Sequence, residues 1–87
     1  MAERVVLLKY NENELIFREG DNADGIFFIK EGCVQTHSEN YDYNVIFAGN
    51  FFGEFSIIGD EKRSLSVTSI THTELLFLTK RDFWDIA

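Results

Sequence analysis

Six residues near the middle of this 87-residue chain have types and a spacing that could do chemistry together. They are Gly53, Glu54, Phe55, Ser56, Arg63 and Ser64. A glycine allows close approach to the backbone, and the free N–H groups at the start of a helical turn attract a phosphate. Arg63 would add bidentate hydrogen bonds to phosphate oxygens, and the Glu54 carboxylate would accept one from a sugar hydroxyl. This combination indicates a binding site for a sugar phosphate.

The spacing of these residues also permits a simpler interpretation of Arg63. It follows Lys62 and comes shortly after Asp60 and Glu61. Mixed charges in a polar turn are typical of a solvated surface. On spacing alone, a phosphate site and a solvated turn both remain open.

The segments that must position these residues have the pattern of β-strands. Short runs rich in Val, Ile, Phe, Thr and Tyr alternate with polar turns, which favours an antiparallel sandwich or barrel. The runs cover residues 5–10, 15–18, 26–30, 33–37, 44–47, 65–70 and 74–78. Two segments differ: residues 54–58 predict one helical turn, and Thr79 followed by Asp82 predicts a capped helix beginning near Lys80.

Large aromatic side chains are expected to supply much of the core. Phe27, Phe28, Phe51 and Phe52 lie in apolar runs and are predicted to be buried. Each fully enclosed phenylalanine would contribute about 1.5–3 kcal/mol to folding. Trp84 is predicted to dock the terminal helix onto the barrel.

Two segments of the chain resemble the signatures of a known family. Residues 16–32, with a glycine–acid turn, four consecutive apolar residues and a closing glycine, resemble the first signature of cyclic-nucleotide-binding domains. Residues 52–57 together with 63–69 resemble the second signature, the phosphate-binding cassette. Both occur in the order that the family has, and the resemblance extends over nearly the whole chain.

The resemblance assigns a role to each of the six residues. It implies that Glu54 accepts a hydrogen bond from the ribose 2′-hydroxyl and that Arg63 pairs with the cyclic phosphate. Gly53, Phe55 and Ser56 match the cassette turn, whose backbone amides complete the phosphate cradle. The family resemblance further implies that one hydroxyl beside the arginine contacts phosphate or base, a position that is occupied here by Ser64.

The resemblance also implies a fold and a function. We expect a mainly β domain over residues 1–87: an eight-stranded antiparallel jelly-roll-like barrel with a short internal cassette helix and the start of a C-terminal helix. The family's N-terminal helices and C-terminal lid helix would lie outside it. The expected function is to bind cAMP or cGMP, without catalysis, and to control an attached effector. We expect that effector to be an ion channel or, in a kinase regulatory subunit, a kinase. An exchange factor and a transcription regulator remain alternative effectors.

Two residues depart from the family pattern. Leu65 stands where the family usually has alanine, and it would crowd the ribose phosphate or fill the core. Phe17 replaces a smaller aliphatic residue, which is expected to change core packing only. The Leu65 departure bears on affinity more than on fold.

Composition restricts the partners and the compartment. The net charge of −7 opposes direct nucleic-acid binding, which rests on Lys and Arg neutralising phosphates. The lone Cys33 cannot form an internal disulfide and no signal-peptide core begins the chain, so a cytoplasmic setting is expected, with membrane contact only through an attached channel. His37 and His72 lie far apart without partners at metal-ligand spacing, so neither a metal site nor a cofactor besides the nucleotide is predicted.

Two other functions compete with the sensor hypothesis. A barrel that had lost its ligand would act as a structural or protein-interaction module, which Leu65 and the acidic surface favour. A small cupin-like enzyme would need clustered histidines, and the sequence places its two histidines 35 positions apart, at His37 and His72.

Overall fold

The computed structural model describes residues 5–38, 41–53 and 62–86. Within these ranges the chain forms eight strands and one helix. The strands are β1 (Val6–Tyr10), β2 (Leu15–Phe17), β3 (Gly25–Glu31), β4 (Cys33–Ser38), β5 (Tyr41–Phe47), β6 (Phe51–Phe52), β7 (Ser66–Ser69) and β8 (Thr73–Thr79), and the helix is α1 (Lys80–Ile86).

The strands form two four-stranded antiparallel sheets. One sheet has the order β1-β8-β3-β6 and the other has the order β2-β7-β4-β5. The chain therefore crosses repeatedly from one sheet to the other, as in a jelly roll. The predicted fold is confirmed. Strand β6 contains only two residues, too few to stand out as a β-rich run in the sequence, and the predicted cassette helix at 54–58 lies outside the described residues.

The core lies between the two sheets. Its buried apolar side chains are Phe27, Ile29, Val34, Phe52, Val67 and Leu75. Phe28 and Phe51, which are paired across β3 and β6, are instead 40% and 55% exposed. Neighbouring residues of a strand face opposite sides, so the prediction of a buried core position is correct for Phe27 and Phe52 and wrong for Phe28 and Phe51.

The helix begins directly after β8. The backbone N–H of Asp82 donates to the Thr79 hydroxyl over 3.1 Å, which is the cap that the sequence predicts. Trp84 is 55% exposed and its ring meets the edge of Phe83 at a centroid distance of 5.4 Å. More than half of the Trp84 surface therefore remains accessible to solvent, and its predicted role in docking the helix stays a prediction. In the part of the chain that the structure describes, no helix has the length and apolar character that a membrane span needs.

Close packing and a hydrogen bond hold two turns against each other at one end of the barrel. Gly32, between β3 and β4, has a φ of +90°, and a Cβ there would lie 2.4 Å from the His72 carbonyl oxygen. The Thr73 side chain is fully buried, and its hydroxyl lies 3.1 Å from the Cys33 carbonyl oxygen. The turn before β8 is thereby held against the turn after β3.

Candidate functional site

A cavity of about 390 Å³ opens beside the segment that the sequence singled out. This volume falls within the range of pockets for small ligands. Three of the six predicted site residues, Gly53, Arg63 and Ser64, line this one cavity. The other three, Glu54, Phe55 and Ser56, lie outside the described residues.

The cavity has a mostly apolar wall. Phe17, Phe52 and Val67 come from the two sheets, and Thr36 and Ile46 come from the hairpin of β4 and β5. Leucine, phenylalanine and valine walls with a few polar groups are typical of sites that enclose an organic ligand. The positive charge of the cavity is concentrated at its Arg63 end.

Arg63 is a buried residue, with 6% of its surface exposed. Its Nη2 donates to the Gly25 carbonyl oxygen over 3.1 Å and lies 3.4 Å from the Asp24 carboxylate. The guanidinium carbon stands 4.2 Å from the centre of the Phe17 ring, within cation–π range. The interpretation of Arg63 as a solvated turn charge is therefore wrong.

Phe17 has a role that the sequence did not indicate. It was expected to alter core packing only, but its ring also covers one face of the Arg63 guanidinium. It packs on Phe27 as well, with ring centroids 5.7 Å apart. The Phe17 ring therefore contacts both the Arg63 guanidinium and the aromatic core.

The backbone around Arg63 is held by the turn before β3. The N–H of Arg63 donates to the Asp21 carbonyl over 2.7 Å, and the Arg63 carbonyl accepts from the N–H of Gly20 over 2.8 Å. Next to it, Asn22 and Lys62 form an isolated antiparallel bridge, and the Lys62 ammonium donates to the Asn22 side chain over 3.0 Å. Turn residues from the first signature therefore fix the arginine of the second.

The electrostatics of Arg63 are those of a buried cation with incomplete pairing. Burial lowers the pKa of its guanidinium, and the negative charges of Asp24 and then Asp21 partly oppose this. Asp24 is an exposed carboxylate, with 75% of its side chain accessible, so solvent screens the ion pair. In the part of the chain that the structure describes, the buried Nε of Arg63 has no acceptor. A buried donor without an acceptor costs free energy.

Gly53 approaches the arginine closely. Its φ is +83°, a conformation that side-chain-bearing residues rarely adopt, and a Cβ there would lie 2.8 Å from Arg63 Nη1. The Gly53 carbonyl oxygen also lies 3.4 Å from the same nitrogen and accepts its hydrogen bond. The positive φ and the close approach of the guanidinium both favour glycine at this position.

Ser64 and Leu65 continue the cavity wall after Arg63. Ser64 is exposed and Leu65 is half-buried, and both line the cavity. Strand β7 covers Ser66–Ser69, so it begins one residue later and ends one residue earlier than the predicted strand at 65–70. Leu65 borders the same space as Arg63, where it could crowd a ligand.

Asp24 and Gly25 are the partners that sequence reasoning missed. They lie 39 and 38 positions before Arg63, so local spacing carries no signal for the contact. Sequence reasoning also did not associate His72 with the carboxylates of Glu31 and Glu74, which the structure brings beside it. His37 instead lies 2.9 Å from the Thr68 hydroxyl through its Nε2.

Comparisons with known proteins agree on one family. The family model described as "Cyclic nucleotide-binding domain" matches residues 7–87. The chain is 34% identical over 71 residues to the cAMP-dependent protein kinase type II regulatory subunit of Drosophila melanogaster, covering 77% of this chain and 19% of that protein. It is 39% identical over 69 residues to a cyclic nucleotide-gated potassium channel of Rhizobium etli, covering 79% and 19%. The chain thus spans about a fifth of the length of these relatives.

Solved structures show the same fold. The structure described as Sp-2Cl-cAMPS bound to PKAR CBD2 superposes with a TM-score of 0.86 at 22% identity, covering 94% of this chain and 56% of that one. The cAMP-bound PfPKA-R structure gives a TM-score of 0.89 at 21% identity, covering 97% and 30%. At these identities the agreement establishes the architecture.

Proposed function

The chain belongs to the cyclic nucleotide-binding domain family, and on that premise we propose that it binds cAMP or cGMP as a regulatory module. The observation that carries the proposal is the position of Arg63, a buried cation at the wall of a cavity of about 390 Å³. Burying a charge is costly unless it is paired. A cyclic phosphate would supply the second negative partner.

The proposed phosphate contact uses both charge and geometry. The guanidinium is planar and offers paired N–H groups that match two phosphate oxygens. Phe17 covers one of its faces and the Gly25 carbonyl holds one edge, so the group is pre-oriented before a ligand arrives. Pre-orientation lowers the entropy that binding must overcome.

The remaining parts of the nucleotide would meet different surfaces. The apolar wall formed by Phe52, Val67 and Ile46 suits the flat faces of a base and ribose. We assign the ribose 2′-hydroxyl to Glu54, as the resemblance implies. Backbone amides of Gly53, Phe55 and Ser56 would complete the phosphate cradle, and Ser64 would add a hydroxyl contact.

The proposed role is to sense the nucleotide rather than to transform it. A Drosophila relative is named as a kinase regulatory subunit and a Rhizobium relative as a gated channel. We propose that this domain likewise controls an attached effector in the cytoplasm and contacts a membrane only if that effector is a channel. Control requires that the nucleotide bind one arrangement of the domain more tightly than another.

An arginine substitution with a charge-matched control tests the proposal. Arg63→Met keeps an unbranched stem against Phe17 but removes the guanidinium, whereas Arg18→Met removes the same charge from an exposed position. Isothermal titration with cAMP and cGMP should show that Arg63→Met loses about 2–5 kcal/mol of affinity, since a desolvated phosphate loses its charged partner. Arg18→Met should bind as the parent chain does.

Three outcomes decide between the functions. Equal binding by Arg63→Met and the parent chain would remove Arg63 from the site. Equal losses in both variants would mean that general charge, and not this guanidinium, drives binding. If the parent chain binds neither nucleotide at millimolar concentration while it is folded by circular dichroism, the structural-module function replaces the sensor.

A further inference from the structure

Three potential metal ligands meet at the end of the barrel away from Arg63. Glu31 ends β3, His72 precedes β8 and Glu74 lies on β8. The structure brings one potential ligand atom of each residue within 4.8 Å of the other two. These atoms are a carboxylate oxygen of Glu31, an imidazole nitrogen of His72 and a carboxylate oxygen of Glu74. An imidazole with two carboxylates is a donor set that zinc and similar divalent ions accept.

The strand register places two negative charges directly opposite each other. Glu31 pairs with Glu74 across β3 and β8, and a bulge between Ile29 and Glu31 produces this pairing. Without the shift in register, Lys30 would stand opposite Glu74 in its place. Like charges directly across a sheet are destabilising, and bulges commonly re-aim a side chain towards a functional site. The lysines Lys30 and Lys9 lie beside Glu74 and offset part of this repulsion, and a cation between the two carboxylates would relieve the remainder.

The Glu74 carboxylate is oriented for such a cation. Its Oε1 lies 3.6 Å from the Lys30 ammonium, while its Oε2 lies 3.5 Å from Nε2 of His72. Bonds of about 2.0–2.2 Å around a tetrahedral zinc separate neighbouring ligand atoms by about 3.3–3.6 Å. The second separation therefore matches one edge of a zinc site already, and Lys30 acts as an outer partner that holds the carboxylate.

The backbone that carries the three ligands is rigid. Gly32 follows Glu31 and leaves no room for a Cβ against the His72 carbonyl. Thr73, between the other two ligands, is fully buried, and its hydroxyl donates to the Thr71 carbonyl over 2.8 Å. Because both turns are fixed, only the exposed Glu31 side chain has to move inward to complete the site.

We propose that Glu31, His72 and Glu74 bind one divalent transition-metal ion, with zinc as the best fit and water as a fourth ligand. Glu31 lies six residues along β3 from Gly25, whose carbonyl accepts from Arg63. At about 3.3 Å per residue this separates the two sites by about 20 Å. The metal site therefore does not overlap the nucleotide site. A bound ion would link the turn after β3 to the turn before β8 at the opposite end of the barrel.

The test is titration of the EDTA-treated chain with zinc chloride alone, by calorimetry and by thermal melting. We expect one ion per chain and a rise in the melting temperature, since an ion that binds only the folded state stabilises it. Glu31→Gln and His72→Ala should each weaken zinc binding by more than roughly tenfold, the lower limit of what even an outer-shell partner contributes. Both side chains are exposed, so the variants are expected to fold.

Matched controls separate this site from other zinc-binding groups. His37→Gln removes the other histidine, and Cys33→Ser removes the thiol; both should bind zinc as the parent chain does. Zinc binding that survives His72→Ala, or that disappears with Cys33→Ser, would overturn the proposal. So would the failure of the folded parent chain to bind zinc below millimolar concentration. None of these outcomes depends on whether the chain binds a cyclic nucleotide.

Discussion

Adding a single methyl group at Gly53 should weaken nucleotide binding by displacing Arg63. The Cβ of Gly53→Ala would lie 2.8 Å from Nη1 of the arginine, closer than a carbon and a nitrogen normally approach. The guanidinium is the end of a flexible side chain, so it can retreat, but it is then no longer in the position that its carbonyl partners define. We expect the loss of about one charge-assisted hydrogen bond to phosphate, worth about 1.5–3 kcal/mol.

The same substitution should also cost stability through the backbone. At Gly53, φ is +83°, and an alanine in a left-handed conformation costs roughly 1–2 kcal/mol. For a domain of this size that corresponds to a fall of about 4–16 °C in melting temperature. A loss of affinity is therefore interpretable only beside a variant that carries the same backbone strain.

Gly49→Ala is that variant. Its φ is +94°, and a Cβ there would meet no heavy atom within 4 Å. Both alanine variants should melt at similarly reduced temperatures, but only Gly53→Ala should bind cAMP and cGMP less tightly, by roughly 10- to 150-fold. Calorimetric titration at a temperature where both variants are folded makes the comparison direct.

Two results would refute the reasoning. If Gly53→Ala binds as tightly as the parent chain although its melting temperature falls, the position of the guanidinium does not limit affinity. If Gly49→Ala loses as much affinity as Gly53→Ala, the loss comes from global destabilisation.

Two further substitutions test the residues on either side of Arg63. Leu65→Ala should tighten nucleotide binding severalfold by removing a crowding side chain from the cavity wall, and should cost less than about 2 kcal/mol of stability because Leu65 is only half-buried; weaker binding in a calorimetric titration would contradict this. Glu54→Gln should lose about 1–2 kcal/mol of affinity, because the glutamine amide still accepts the hydrogen bond but no longer carries the charge that strengthens it. That loss should vanish with a 2′-deoxy cyclic nucleotide, and its persistence would exclude the 2′-hydroxyl as the partner of Glu54.

The strands were predictable because their signals are local. β-rich runs separated by polar turns place most strand ends to within one residue, as at β7. The exceptions are β5, which begins three residues before its predicted run, and the two-residue strand β6. Which face of a strand is buried is harder to predict where every residue is apolar. Phe27 and Phe28 have identical side chains, and only packing against the second sheet decides that the first is buried and the second exposed.

The exposed phenylalanines belong to a row that crosses the outer face of one sheet. Leu7 pairs with Leu76, Leu76 pairs with Phe28, and Phe28 pairs with Phe51. Cross-strand neighbours of this kind contribute roughly 0.2–1 kcal/mol per pair even on an open face. Apolar composition alone therefore does not distinguish a core residue from a member of such a row.

Prediction of the site was limited by the distance along the chain between interacting groups. Gly53 and Arg63 lie ten positions apart, and a motif of that length can be found by eye in the sequence. The contacts of Glu31 with His72 and Glu74 depend on a bulge in β3, and a change of one residue in register would send Glu31 elsewhere. Glu31 was missed as a neighbour of His72 for this reason, whereas Glu74 lies only two positions after His72 in the sequence.

The structure gives a physical reason why the two signature segments must occur together. Residues 16–32 supply Phe17, Asp24 and Gly25, residues 52–57 supply Gly53, and these four meet around the guanidinium of Arg63 from residues 63–69. A buried arginine without these partners would carry an uncompensated charge, which costs several kcal/mol. The first segment alone would offer carbonyls without a cation, and the second alone would expose its arginine to solvent. Each signature therefore has its function only where the fold brings the other against it.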